Sequence, residues 1–233
     1  MKGEADVGGL RNSAAVSSMV IFEVLRDDIF QVYPRTSLGG YRAQYPDPVT
    51  LSQGKRRALI RAIFSFVEGL SYVQRVSLVS SFSDRLDPSV VMALKEQQIE
   101  ITNAGKVRTK SIKASLMSLV RLAVEQYIEC YPGRLSIQCS GSGYEGLVSS
   151  VKIRDRLMHP RSEHDLFVKD EEIVRAVDGW FWFSEVCVYM LGAELEALTQ
   201  SVVDLGGLKV LERESHKNAV KLLEFIKEIK ISR

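Results

Sequence analysis

Cysteine is scarce: Cys130, Cys139 and Cys187 are the only three in 233 residues. They form no CxxC pair and stand at no metal-ligand spacing from His159, His164 or His216. An odd, scattered set argues for reduced thiols rather than a disulfide framework or a structural metal. Charge of one sign is also lacking. The formal net charge is +2, too small to make the whole surface a nucleic-acid binder, so any such surface must come from local clustering. No apolar run is long enough and clean enough for a membrane span. The stretch from Ala58 to Val79 contains Arg61, Glu68 and Arg75, and that from Ile173 to Leu198 contains Arg175, Asp178, Glu185 and Glu194. Such charges read as buried helices of a globular chain. The opening MKGEADVGGLRNS has no apolar core and does not read as a secretory signal. No P-loop, GxGxxG, HExxH or GxSxG occurs, which disfavours nucleotide-driven and zinc-protease chemistry. From these absences a soluble, cytoplasmic protein without a membrane partner is expected.

What is present is helical periodicity. The hydrophobic share of 45% and the charged share of 26% are ordinary for a folded chain. Residues 1–12 are small and polar and are expected to be loose. A first helix is expected from about Ser13 to Tyr33, with Val16, Val20 and Val24 on one face. Pro34, Pro46, Pro48 and the Gly39-Gly40 pair make residues 34–48 a loop. A second helix starts near Thr50 or Ser52 and carries Leu59, Ile63, Phe66, Val67, Leu70 and Val73 at spacings of three and four. Asp87-Pro88 opens a short helix expected to reach about Ile101, and Asn103-Ala104-Gly105 makes a turn. Further helices are expected at about Ser111 to Glu129, Tyr144 to His159, Glu171 to Val203 and Val210 to Ile229. A brief extended piece is allowed at Leu135 to Cys139, but no period-two strand stands out. Helices joined by short loops predict an all-α bundle over 13–203, with a C-terminal helical extension at 204–233.

The stretch that carries chemistry is Ile153-Arg154-Asp155-Arg156-Leu157-Met158-His159-Pro160. Pro160 disfavours helical geometry at His159, so the helix should end there. The helix dipole then favours the protonated imidazole. On an ideal helix Arg154 and His159 lie about 140° apart, whereas Asp155 and His159 lie about 40° apart. Asp155 is therefore the better placed of the two to touch the imidazole.

Arg154, four intervening residues and His159, with an acidic residue after the Arg and Pro160 after the His, resembles the R-x4-6-H signature of HEPN domains. These are helical bundles of toxin–antitoxin, phage-defence and RNA-processing systems. The earlier Phe66-Val67-Glu68 helix is similar to the HEPN helix that carries a polar residue facing the motif. The resemblance implies a HEPN-like bundle and a metal-independent endoribonuclease, needing no cofactor and acting as a toxin or antiviral effector. It further implies an RNA substrate, a homodimer that joins two motifs in one cleft, and an antitoxin or sensor protein as a possible partner. Arg154, His159 and Asp155 would be catalytic, with Glu68, Arg156 and Arg161 contacting substrate. Arg161 stands where some toxins carry a tyrosine modified by a partner enzyme, so that mode of control is not implied here.

The chemistry asks little of the protein. RNA supplies its own nucleophile in the 2′-hydroxyl next to the scissile phosphate. A histidine near neutral pKa moves protons, and a permanently charged arginine fork matches phosphate oxygens. The competing expectation is a non-catalytic interaction module, an adaptor or immunity-system subunit, in which the two residues cap carbonyls and pair with carboxylates. Other features point to less. Lys55-Arg56-Arg57-Arg61 and the Lys106 to Lys113 stretch either track phosphates or decorate a solvated surface. Trp180, Phe181, Trp182 and Phe183 read as core or as dimer interface. His164 and His216 read as surface residues. Glu68, alone on an apolar face, should be paired or functional.

Overall fold

Local start signals set most of the elements. In the computed structural model, which describes residues 5–37 and 43–204, α1 spans Ala5–Val32 and α2 spans Gln53–Phe82. The Ser52 hydroxyl caps α2 by accepting from the Lys55 N–H, and the Ser115 hydroxyl caps α4 (Leu116–Cys130) by accepting from that of Ser118. Asp87 and Pro88 open α3, Pro88–Leu94. Two long helices follow: α5 at Gly141–Met158 and α6 at Asp170–Asp204. Gly133, at φ +76°, supplies the left-handed turn after α4. The architecture is all-α, and no helix among the described residues is long and apolar enough to cross a membrane.

The long α2 is the central element, packed against α1, α4, α5 and α6. Leu59, Ile63, Phe66, Val67 and Leu70 of the expected stripe are buried on it, joined by Ile60, while Val73 is only partly buried. Each such side chain contributes on the order of 1.5–3 kcal/mol. On α1 the buried stripe is Ser18, Phe22 and Ile29, leading into Tyr33, while Val20 and Val24 are more than half exposed. This corrects the face expected from Val20 and Val24; the side chain of Val16 lies outside those described. The larger aromatic and aliphatic side chains claim the core, and Phe22 meets Phe66 edge-on at 5.3 Å.

Two short hairpins interrupt the helices. Thr36–Ser37 (β1) pairs antiparallel with Ala43–Gln44 (β2). Behind them Tyr45 packs on Tyr33, Trp180 and Phe181. The Tyr33 hydroxyl donates to the Pro46 carbonyl, and burial pushes that phenol up to about 12. The second hairpin, Gln97–Ile101 (β3) with Val107–Ser111 (β4), replaces the continuation of α3 to Ile101. Glu96 breaks the helix by adopting φ 53°, and Gly105, at φ +70°, turns the hairpin. Residues Leu135, Ile137 and Cys139 alternate inward without joining a ladder. The expected C-terminal helix at 210–229, and His216 within it, lie outside the described residues.

Between α2, α4 and α6 the core holds a buried carboxyl. Glu194 accepts hydrogen bonds from the Ser77 hydroxyl at 2.7 Å and from the Tyr127 hydroxyl. Burial pushes its pKa up despite both donors. The folded chain therefore holds this proton at pH values where the unfolded chain has released it. The associated stability is complete below the ordinary carboxylate range and is lost as pH rises through the raised value. Glu194→Gln, which stays neutral, should gain stability relative to the wild type as pH rises. Melting temperatures of both proteins at about pH 5 and about pH 8 check this; a constant difference between them would contradict it.

Candidate functional site

The helix α5 delivers the motif, and glycines set its height. A Cβ on Gly146 would lie 2.6 Å from the Arg175 carbonyl oxygen, and one on Gly179 would lie 2.7 Å from the Leu147 nitrogen. Backbone thus meets backbone where α5 crosses α6. From that seat α5 presents Arg154 to α2.

Arg154 is partly buried and held on three sides. Its guanidinium lies 5.2 Å from the centre of the Phe64 ring. One terminal nitrogen, Nη2, is 2.8 Å from the Glu68 carboxylate, and Nη1 is 3.4 Å from that of Asp155. Both contacts are ion pairs, and the buried Nε has no partner among the described residues. Glu68 does not stand alone on an apolar face as expected. It belongs to the exposed face of α2, together with Arg61, Ser65 and Tyr72, and meets the motif there.

His159 is the residue on which α5 ends, with φ −131° and ψ 58°. Its backbone N–H bonds to the Asp155 carbonyl at 3.1 Å. The imidazole is exposed and forms no hydrogen bond or ion pair among the described residues. Asp155 therefore does not orient it: the carboxylate turns to Arg154 instead. The physical reason is the break at Pro160. Once His159 leaves helical dihedrals, the 40° relation of an ideal helix no longer applies.

The loop after the motif is fastened to the bundle. Gln53 makes two 2.8 Å hydrogen bonds with the backbone of Val168. Arg56, buried, donates to the Leu51, Val49 and Val168 carbonyls and pairs with Asp170 at 2.6 Å. Arg57 donates to the Leu166 carbonyl. Two members of the basic stretch Lys55-Arg56-Arg57-Arg61 thus hold backbone. Arg156, expected to contact substrate, is engaged with Glu172 at 2.9 Å and with the Phe167 carbonyl. The Arg161 and Ser162 N–H groups bond to the Asp165 carboxylate, which these contacts hold below its ordinary range. The Arg161 side chain is exposed.

Comparison with family models, with curated proteins and with solved structures returns no match. The site therefore has to be read from its own geometry. It brings together Arg154, Glu68 and Asp155, with His159 one turn on, and leaves Arg156 and Arg161 to the loop beside them. Trp180, Trp182 and Phe183 are buried in this chain's own core, so of the two expectations for this segment the core holds for them, while Phe181 and Tyr189 stay partly exposed. The thiols are quiet as well. Burial raises the pKa of Cys130, Cys139 and, most of all, Cys187. Sequence reasoning missed Phe64, the platform under Arg154. Its position one helical turn before Glu68 was the available signal.

Proposed function

We propose that the chain is a HEPN-type, metal-independent endoribonuclease that works as a homodimer in defence or as a toxin. The observation that carries this reading is the meeting of Glu68 on α2 with Arg154 on α5 at 2.8 Å, beside an exposed His159 whose imidazole makes no hydrogen bond or ion pair among the described residues. Such a site needs a cation fixed in place and a proton carrier free to move. Phe64, Glu68 and Asp155 fix the guanidinium while leaving N–H donors for phosphate oxygens. The imidazole of His159 takes the 2′-hydroxyl proton as the oxygen attacks the neighbouring phosphorus. The bond from phosphorus to the 5′-oxygen breaks, and a protonated histidine of the second copy returns a proton to that oxygen. The products are a 2′,3′-cyclic phosphate and a 5′-hydroxyl. Pairing two chains across the motif supplies the second histidine.

One observation favours the non-catalytic reading, an interaction module for another protein. Two carboxylates already neutralise Arg154, so the cluster can serve simply as an ion-paired contact between α2 and α5. The two readings part on product chemistry. Purified protein incubated with RNA in EDTA should cleave it and leave cyclic phosphate termini. Intact RNA, or cleavage that requires magnesium, would remove the proposed mechanism.

A further inference from the structure

The β3–β4 hairpin carries a charge that the bundle does not use. Between Gln97 and Lys113 stand four cations, Lys106, Arg108, Lys110 and Lys113, against the single carboxylate of Glu100. That excess is larger than the +2 of the whole chain. Arg108 pairs with Glu100 at 2.8 Å. The ammonium groups of Lys106, Lys110 and Lys113 are exposed and make no ion pair or hydrogen bond among the described residues. Arg108 and Lys110 fall on alternate residues of β4 and so project from one face of the ribbon, about 6.8 Å apart along it, with Lys106 just before the strand. Ile99, Ile101 and Val107 occupy the opposite face.

The root of the hairpin is tied to the helix that carries Glu68. Arg75 of α2 donates to the Leu94 carbonyl at 2.6 Å and pairs with Glu96 at 3.2 Å. Arg75 stands seven positions after Glu68, about 10 Å along the axis and within about 20° around it. Between them Tyr72 is 59% exposed, with the Arg75 guanidinium 5.9 Å from its ring centre. A flat, cation-backed aromatic thus lies on α2 between Glu68, which holds Arg154, and Arg75, which holds the root of the hairpin. Spaced cations with an aromatic on the way suit a nucleic-acid strand whose bases are free to stack.

We propose that the hairpin is an arm for single-stranded RNA. The strand that meets Arg154 and His159 continues along the exposed face of α2, stacks a base on Tyr72 and lays its phosphates against Lys106, Arg108 and Lys110. This rests on the RNA reading of the motif but not on catalysis. The test is fluorescence anisotropy with a labelled, mixed-sequence single-stranded RNA. The full-length His159→Ala protein is used so that bound RNA stays whole. Adding Lys106→Ala, Arg108→Ala and Lys110→Ala should weaken binding at least tenfold and reduce the salt slope of log K by about two. Lys110→Glu alone, which spares the Arg108–Glu100 pair, should weaken it as well. Tyr72→Ala should cost about tenfold with the slope unchanged.

Unchanged affinity and slope in the triple variant, with unchanged circular dichroism, overturns the arm, even if wild type cleaves RNA. Hairpin-dependent binding by a wild type that does not cleave supports the arm and removes the nuclease instead. Poly-glutamate binding as tightly as RNA would assign the surface to an acidic protein and overturn the proposal, as would no RNA binding at all.

Discussion

Gly179→Ala should destabilise this protein by about 2 kcal/mol, lowering its melting temperature by roughly 4–8 °C. The sign is opposite to what helix propensity gives, since alanine is better than glycine in a helix interior by nearly 1 kcal/mol. Sterics decide it. The new Cβ would sit 2.7 Å from the nitrogen, 2.8 Å from Cα and 2.9 Å from Cβ of Leu147. Two of those atoms are backbone and have no rotamer to change, so α5 has to move as a body. Gly192 lies on the same helix, and a Cβ there would meet nothing within 4 Å. Gly192→Ala should therefore stabilise by about 0.5–1 kcal/mol. Thermal melts of the two variants form an internally controlled pair. If both move the melting temperature the same way, the close approach of α5 and α6 is not what fixes the structure.

On the proposed nuclease reading, the larger kinetic effect belongs to His159. His159→Ala should slow single-turnover cleavage by about 10²–10⁴, the usual contribution of a positioned acid–base group. The melting temperature should stay within about 1 °C of wild type, because the side chain is exposed and forms no hydrogen bond or ion pair among the described residues. Arg154→Lys makes the companion measurement. It keeps the charge but loses the planar fork. The rate should drop at least tenfold, with little loss of RNA binding. Stability should change by no more than about 1 kcal/mol, because the Glu68 and Asp155 contacts are partly exposed and surface ion pairs contribute little. A destabilised Arg154→Lys protein with normal activity per folded molecule would end the catalytic assignment of this residue.

Much of the helical framework was legible because it is written in local terms. Ser52, Asp87-Pro88 and Tyr131-Pro132-Gly133 are start and stop signals whose chemistry acts within one turn. The stripe from Leu59 to Leu70 repeats long enough to leave one face to bury. On α1 the valines offered a second stripe, and only the partner helix, with Phe66 facing Phe22, decides between the two. The β3–β4 hairpin was missed because Gln, Glu, Lys and Arg are weak strand formers. Its alternation also hides no face from water, as Ile99, Ile101 and Val107 all stay exposed. The left-handed Glu96 that ends α3 has no local signal; its carboxylate is held by Arg75. At the site, sequence alone brought Arg154, Asp155 and His159 to the last turns of one helix. It did not decide which way Asp155 would point. The choice depends on Arg154, which is held from α2 by Phe64 and Glu68, residues remote in the chain.

The glycine contact between α5 and α6 also limits how such a site can be switched. Helices separated by a cushion of long side chains can slide by a turn and exchange one set of knobs for another. Where Gly146 and Gly179 put main chain against main chain, every intermediate position of such a slide is a collision. The segment bearing Arg154 and His159 therefore has one register on α6 and no second one to occupy. Control over the motif has to come from the other wall, by displacing the α2 face that holds Glu68 and Tyr72, or from a molecule that covers it.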